Sequence, residues 1–589
     1  MAFIVKKKIH GKDYYYLRQS VRENGKVHSK CLAYLGKTRS EAERKAKQIM
    51  KNTENNKTLL DSKNKKGESK KDSLKLAKLS VEDMATFCKK KGFVYQSGDI
   101  YGGLAGFWDF GHLGVELKNN IKSEWWQFHV REREDIVGID GSIITHPKVW
   151  KASGHVDSFS DVLVVCKKCK KADKVDKHEI RKVKCPNCRG DFDWDNLKDI
   201  EQMFKTTVGL DTLAYLRPET AQLIFTNFRF VQDNARMKLP FGIAQIGKSF
   251  RNEIAPRDFL FRLREFEQME IEYFIDPEEP CPYNIGDTEI NVYSAEMQSK
   301  EQKTKEKGSN ENEKEKGKEK EKEKSKEKDQ EKQEKGMQKM SFKDALEKGI
   351  IKTKWHAYWL EQEFLWFIRL GARPEKFRIR QHVSDEKSHY ALDTWDLEYE
   401  FPFGWKELQG MANRTDYDLK QHQKHSKTKM ALTTDKGKKI LPHVVAEPSQ
   451  GVERAMLVFL FDSYCKDEER DNVVLRLDPK LAPVKAAIFP LVKKPEFEKL
   501  AKDVFIELKK HWNVIYDKSG SIGRRYARND EVGTPYCITI DGDSVKNKDV
   551  TIRDRDTTKQ VRVKISDVKN VIRKLLEKEI DFKEVGKPI

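Results

Sequence analysis

The sequence predicts an α+β protein: an antiparallel sheet flanked by helices, an inserted four-cysteine ribbon and a separate C-terminal α/β domain. Three observations carry that expectation. Short strand-like runs at 242–246, 270–274, 394–399 and 443–446 are joined by hairpin-length or long connections and not by regular βαβ units. Two Cys-x-x-Cys pairs, Cys166/Cys169 and Cys185/Cys188, are separated by fifteen residues. From about Ala482 the pattern alternates: strand 485–492, helix 496–511, strand 514–516, a loop, strand 536–541, then a final strand and helix.

Length and charge bound the answer. At roughly 150 residues per domain, 589 residues make about four structural units. Lys and Arg number 115 against 95 for Asp and Glu, a net charge of +20, which favours a polyanionic partner, nucleic acid before membrane surface. The 37% hydrophobic and 10% aromatic content exceeds that of a disordered chain, so most of the protein should fold. A mean hydropathy of −0.79 and no apolar run near ~20 residues argue against a membrane span. The opening residues carry no secretory pattern, and nine cysteines, four of them in two pairs, suit metal ligation in a reducing compartment; a cytoplasmic location is expected.

Taken in order, residues 1–50 read as a small basic β-hairpin and helix module, with Ser40 and Glu43 as a capping box. Lys6, Lys7, Lys8, Arg18, Arg22 and Lys26 beside three tyrosines leave a packing module and a nucleic-acid surface equally open. Residues 51–73 are a polar linker. The main domain spans 74–298, with the ribbon at 162–192, and resumes at 336–470; the C-terminal domain takes 471–589. Between the halves, 299–335 is nearly all Lys and Glu with no apolar face, so it stands as an exposed insertion, disordered or a single solvated helix. Trp359, Leu360, Phe364, Leu365, Phe367 and Ile368 recur at helical spacing and belong to a core.

Three motifs carry chemistry. Cys166, Cys169, Cys185 and Cys188 can complete a tetrahedral thiolate shell with bonds of ~2.3 Å; four cysteines leave no open position, so the metal is structural zinc. Lys167, Lys168, Lys170 and Lys171 are expected to lower the thiol pKa values. Phe250-Arg251-Asn252-Glu253, Arg262, Arg264 and Phe266 set arginine forks beside an aromatic ring, the pattern of a phosphate and purine site and equally of a charged surface hairpin, while Glu270 and Glu272 share one strand face. Residues 443–454, from His443 through Glu447, Ser449 and Gly451 to Arg454, form a strand, a Gly turn and a helix start, a natural anion site. His382, Asp385, His389, Asp393 and Asp396 fit no helix-based metal pair, and a second metal is not expected there.

The Arg251-Asn-Glu253 hairpin and the Glu447-Pro-Ser-Gln-Gly to Arg454 turn resemble motifs 2 and 3 of class II aminoacyl-tRNA synthetases. Gly102 to Gly111, Ser153-Gly-His-Val, Arg217-Pro-Glu-Thr-Ala-Gln222, Trp405 to Gly410 and Ala412 to Leu419 narrow the resemblance to homodimeric glycyl-tRNA synthetases of archaeal and eukaryotic type. It runs from about Leu74 to Leu576 without the insertion, and includes Gly520 to Tyr526 and Asp530 to Tyr536 of an anticodon-binding domain. Residues 1–50 lie outside it. Two positions depart from the family pattern: His112, where relatives usually carry Pro, and Lys171, where they tend to carry Arg.

The resemblance implies a class II antiparallel sheet and a ligase that makes glycyl-adenylate from ATP and glycine, then esterifies tRNA(Gly). It implies a homodimer without a membrane. By the same resemblance Arg251 and Arg454 are the catalytic clamps, and ATP is held by Arg251, Asn252, Glu253, Arg262, Leu263, Phe266, Glu407, Leu408 and Arg454, with Mg²⁺ at Glu407. Glycine is placed among Glu219, Glu270, Glu447 and Ser449. The physics agrees, since a buried ammonium needs carboxylates around it. A binding-only descendant of the fold would have lost the phosphate clamps. A zinc-bearing DNA-binding protein would leave the carboxylates unexplained.

Overall fold

The computed structural model describes residues 2–9, 12–23, 26–36, a few positions up to 46, 79–301 and 336–589, except 159, 176–179, 182, 186–187, 385, 387–390 and 435–436. Ser40, the 51–73 linker and the Lys/Glu tract beyond Glu301 lie outside the described residues. The chain divides into two compact units, 1–75 with 282–284, and 76–281 with 285–589. In the first unit, β1 (Ala2–Ile9), β2 (Lys12–Glu23) and β3 (Lys26–Gly36) form an antiparallel sheet in that order. Lys6 pairs with Asp13 at 2.7 Å, so one of its basic residues is answered within the hairpin.

The second unit is built on a ten-stranded sheet. Its strands are β4 (Ile136–Ile139), β5 (Phe241–Phe250), β6 (Glu265–Ile275), β7 (Glu289–Tyr293), β8 (Gln338–Ser341), β9 (Phe377–Gln381), β10 (Thr394–Phe401), β11 (Gly404–Ala412), β12 (His443–Ala446) and β13 (Pro448–Gly451). They lie in the order β8-β7-β9-β10-β11-β13-β6-β5-β4, with β12 also on β6. All pairs are antiparallel except β4–β5 and β7–β9. Each parallel pair is bridged by a long helix, α3 (Ala221–Ala235) or α4 (Lys354–Arg369), as a crossover between parallel strands requires.

On β6, Met269, Ile271 and Tyr273 turn to one face, where Tyr273 meets Trp355 and Trp359 of α4 at 5.6 and 4.9 Å. Thr353 caps that helix by accepting from the His356 N–H, and its Trp359, Leu360, Phe364 and Phe367 are buried. The opposite face presents Gln268, Glu270 and Glu272, then Phe274, which packs with Phe225 and Phe228 of α3 and Leu419 of α5 (Tyr417–Ser426). One end of that face is thus sealed, and Gln268 and Glu270 mark the open end.

Two helices fix the rim. Ser80 and Asp83 form a capping box at the start of α1 (Val81–Lys91), whose Gly92 cap has φ +82°. In α2 (His112–Trp126), a Cβ at Gly114 would sit 1.8 Å from the Phe93 carbonyl oxygen, so only glycine permits this approach. His112 occupies the first helical position, just after the Gly111 cap.

After α6 (Val452–Ser463) the chain reaches a second sheet: β14 (Ala486–Pro490), β15 (Val514–Tyr516), β16 (Tyr536–Ile540), β17 (Asp549–Asp554), β18 (Gln560–Lys564) and β19 (Lys587–Pro588), in the order β15-β14-β16-β17-β18-β19. Helices α7 (Pro495–Lys509) and α9 (Ile565–Leu576) cover it through Phe497, Ala501, Val504, Leu508, Val568 and Ile572. Where the sequence suggests a loop, α8 (Ile522–Glu531) forms instead. Its buried side is polar: Arg525 donates to the Pro490 carbonyl at 2.7 Å, and Asp530 takes both guanidinium nitrogens of Arg553 at 2.8 and 2.9 Å. Ile522 and Tyr526 bring apolar surface to Ala487, Phe489 and Cys537, a stripe of two residues that hydrophobic periodicity passes over. Among the described residues no helix is long and apolar enough to cross a membrane.

The insertion enters and leaves at one place. Residues 295–301 are helical, β7 and β8 pair through Glu289 and Ser341, and a Cβ at Gly336 would lie 3.2 Å from the Glu301 carboxylate. Replacing 302–335 by a short Gly/Ser turn is therefore expected to leave the thermal midpoint within about 2 °C of the parent, as read by calorimetry.

Candidate functional site

The β5–β6 hairpin pairs in continuous register from Phe241/Phe274 to Phe250/Glu265, which delivers Arg251 and Phe266 to the mouth of a cavity of about 270 Å³. Glu219, Arg251, Glu253, Arg262, Leu263, Phe266, Glu270, Glu407, Leu408, Glu447, Ser449 and Arg454 all line it. Asn252 stands outside that wall, its backbone N–H committed to the Gln202 carbonyl at 2.7 Å. Of the residues assigned to ATP and glycine from the sequence, it alone is off the cavity wall.

The upper wall is cationic and aromatic. The Arg251 guanidinium lies 5.5 Å from the Phe266 ring centroid, and its Nε donates to the Pro218 carbonyl at 3.0 Å. Arg262 reaches Glu253 at 2.8 Å. Arg454, on the first turn of α6, donates to the Glu407 carbonyl at 2.9 Å, lies 3.2 Å from its carboxylate and stacks 4.4 Å from the Phe261 ring. Partial burial works against the Glu407 charge, but Arg454, His382 and Arg251 outweigh it and hold the carboxyl below its usual range.

The lower wall is an acidic cup. Burial opposes ionisation of Glu219, yet His155 at 3.2 Å, Arg414 and Arg251 pull its pKa well down. Ser153 holds the other His155 nitrogen at 2.8 Å, and Gln222 donates to Glu219 at 3.1 Å. Burial and the Glu219 charge push Glu270 up, against the Thr220 hydroxyl that donates to it. Glu447 is pushed up to about 8 by burial, opposed by Arg414, with Glu270 and Glu219 adding to the rise. Ser449 accepts from Gln268 at 3.2 Å, and the Ser249 hydroxyl fixes that amide at 2.7 Å.

Several residues that no sequence role singled out hold this cup. Arg414 is fully buried and gives Nε and Nη2 to Asp418 at 2.7 and 2.9 Å and Nη1 to Glu447 at 2.7 Å. Arg217 clamps the Gly141 and Lys248 carbonyls, both at 2.7 Å. Arginines buried at 1% were the available signal, but burial is not written in a single sequence. His382 also lines the cavity, 2.8 Å from Asp396, whose carboxyl burial pushes up to about 6. Asp393 turns away to Gln381 and the Trp395 indole, and Asp385 and His389 lie outside the described residues.

The ribbon is a second centre. Strands 160–165, 172–175 and 198–201 form a small sheet, and two knuckles close through Lys170 N–H to Cys166 O at 3.0 Å and Arg189 N–H to Cys185 O at 2.7 Å. Cys166 and Cys188 sulfurs are 3.4 Å apart, Cys169 and Cys185 3.6 Å, and all four lie within 4.8 Å. A tetrahedron with ~2.3 Å metal–sulfur bonds has edges of about 3.8 Å, so the donor set fits zinc. The Cys166 thiol is lowered to about 6 by backbone N–H groups, first that of Cys169. Of the flanking lysines, Lys168 contributes through its backbone N–H and not through its ammonium, and Lys167 leans toward Asp193 at 3.9 Å.

Residues 485–575 match the Anticodon binding domain family, which sets the class of the C-terminal unit. The chain is similar to proteins named glycine–tRNA ligase: that of Borrelia garinii subsp. bavariensis is 40% identical over 517 residues, covering 85% of this chain and 99% of the relative. Those of Thermobifida fusca (39% over 522 residues; 84% and 97%) and Caldanaerobacter subterraneus (41% over 538; 86% and 99%) behave alike. The chain belongs to the glycine–tRNA ligase family. Among solved structures, a prolyl-tRNA synthetase from Cryptosporidium parvum superposes with a TM-score of 0.48 at 16% identity, over 84% of this chain and 75% of that one.

Because Arg414 is the guanidinium shared by Asp418 and Glu447, Arg414→Leu is expected to lower the unfolding free energy by about 3–5 kcal/mol in urea titrations. A loss under 1 kcal/mol would show that the carboxylates re-pair or take up protons without penalty.

Proposed function

We propose that this protein joins glycine to tRNA(Gly) in two steps, with ATP as the energy source. The observation that carries this reading is one cavity with a cationic, aromatic wall facing a cup of buried carboxylates: a nucleotide triphosphate fits the first, and a small ammonium the second. Glycine has no side chain to hold, so the cup can select only by charge and by rigid walls that leave no room for a methyl group.

In the first step the glycine carboxylate attacks the ATP α-phosphorus in line and pyrophosphate leaves. Arg251 neutralises the α-phosphate, Phe266 stacks the adenine, and Arg262 and Arg454 take the outer phosphates. Leu263 and Leu408 wall the base, and Asn252 with Glu253 orders the loop. Mg²⁺ fits at Glu407, an ionised hard-oxygen donor at the cavity wall, and would supply charge neutralisation on the phosphates. In the second step the terminal ribose hydroxyl of the tRNA attacks the adenylate carbonyl, the carbonyl–phosphate bond breaks, and AMP leaves with the hydroxyl proton as the glycyl ester forms. No side-chain nucleophile is needed; orientation and preorganised charge suffice. Glu219, Glu270 and Glu447 hold the ammonium, with Ser449 at the wall.

The finer assignments follow from the same basis. The order of motifs on one chain, main domain before anticodon-binding domain, supports the homodimeric, archaeal and eukaryotic-like type. The thiolate geometry supports one structural zinc at Cys166, Cys169, Cys185 and Cys188. A tRNA substrate supports work in the cytoplasm, and the net charge of +20 suits the polyanion. We keep the domain division of 1–50, 51–73, 74–298, 299–335, 336–470 and 471–589 as the working map.

Glycine-dependent exchange of pyrophosphate into ATP tests the reading directly. Arg251→Ala and Arg454→Ala should each lower that exchange by two to three orders of magnitude, since a lost preorganised donor typically costs ~2.7–4 kcal/mol of barrier, while tRNA affinity by filter binding stays within a few-fold. Near-normal exchange in either variant would remove it from the clamp. Elemental analysis should find about one zinc per chain, and Cys185→Ser should lose it and open 161–193 to proteolysis. A metal-free parent with a protected ribbon would count against the centre.

A further inference from the structure

The acidic cup has one carboxyl more than its wall displays. Glu272 lies two residues along β6 from Glu270 and so points to the same face. It does not line the cavity; it is fully buried. Carboxylate oxygens of Glu270, Glu272 and Glu447 lie within 4.8 Å of one another. Among the described residues neither Glu272 oxygen has a hydrogen-bond partner.

The charges that face it can be named element by element. Glu270 stands on β6 itself, Glu447 follows β12, Arg414 precedes α5, and Asp418 is on α5. β5 places the apolar Ile243 opposite it, and on α5 His422 is turned to the Gln222 amide at 2.9 Å. The cation in that set is Arg414, which already answers Asp418 and Glu447. An ionised carboxylate with no donor and no cation of its own is among the costliest arrangements a protein interior can hold, and such a group takes up a proton instead.

We propose that Glu272 is a proton-holding positioning residue: a neutral carboxyl behind Glu270 and Glu447 that keeps the cup from accumulating charge and leaves Arg414 to Glu447. The inference rests on the assignment of the cup to the glycine ammonium. Burial first, then the Glu447 charge, drives the Glu272 carboxyl well above its ordinary range. Glu272 and Glu447 titrate as a pair, and the Arg414 guanidinium on Glu447 favours leaving the proton on Glu272.

Two consequences follow. Loss of the pair's proton places an extra negative charge beneath the cup, so the glycine KM of the parent falls once the pH is high enough to remove that proton. The unfolded chain ionises this residue near 4.5 while the folded chain keeps its proton, so the Glu272 contribution to stability is full below that pH and is lost as pH rises toward the folded value. Gln, a mimic of the neutral acid, escapes that loss.

The test is pyrophosphate exchange at saturating ATP from pH 6.5 to 9 with parent, Glu272→Gln and Glu270→Gln. Glu272→Gln is expected to shift the glycine KM less than three-fold at pH 7 and to flatten its pH dependence, with a melting advantage that grows with pH above about 4.5. Glu270→Gln should raise the glycine KM more than ten-fold. If both variants raise it equally, Glu272 is an anionic ligand and the proposal falls while the cup stands. If Glu270→Gln leaves it unchanged, the glycine assignment itself fails. Should Glu272→Gln not fold, the infrared C=O stretch of a protonated, exchange-protected carboxyl at pH 7 decides, read in Glu447→Gln and Glu270→Gln: a band that persists in both supports the proposal, and a band that is absent from either overturns it.

Discussion

A single buried guanidinium organises the site. Arg414 joins Asp418 on α5 to Glu447 beyond β12, elements that would otherwise bring carboxylates together with nothing between them. Its side chain is 2% exposed, and the two acids it holds are 1% and 9% exposed. At such depth the attraction between opposite charges has to offset a desolvation penalty of several kcal/mol per ion, which it does only when the geometry is bidentate and the neighbours are rigid. The rigid neighbours are the strands of the large sheet, while Glu219 is held by His155 and Gln222 and Glu270 by Thr220.

Around that anchor, the cavity separates opposite charges by wall. Arg251, Arg262 and Arg454 come from the loop ends of β5 and β6 and from the start of α6, where backbone and side chain meet solvent. Glu270 comes from the interior of β6, Glu447 from the break between β12 and β13, and Glu219 from the entry to α3, where burial makes their protonation sensitive to each neighbour. The environments thus pull neighbouring carboxyls in opposite directions: His155 keeps Glu219 ionised while Glu270 and Glu447 are pushed toward neutrality. A cup of this kind discriminates by net charge as well as by shape, because an uncharged amine of the same size would leave the ionised acid unanswered.

Much of this was legible in the sequence for reasons that can be traced. The hairpin showed because Glu270 and Glu272 alternate with apolar residues, and the α4 core showed because its aromatic residues recur at helical spacing. The four cysteines announced themselves by spacing alone. What stayed hidden shares one property: polar groups buried by tertiary packing. Helix α8 turns Arg525, Asn529 and Asp530 inward, so its pattern reads as a loop. Arg217 and Arg414 look like any surface arginine until the strands close over them. The two parallel strand pairs were likewise unreadable, because the helices that bridge them announce length and not direction. The Lys-rich flank of the ribbon was read through its formal charge, which is visible in a sequence, whereas the backbone amides of Cys169 and Lys168 that act on Cys166 are not.

The hairpin of β7 and β8 stands at the edge of the large sheet opposite β4, six strands away from β6. Glu301 and Gly336, where the chain departs and returns, are neighbours there. That arrangement makes the site a natural splice port. A foreign domain whose own ends lie close together could be grafted at this junction without altering the spacing of the strands, carrying a fluorophore or an affinity handle on a scaffold whose cavity lies over the inner strands β10, β11, β13 and β6.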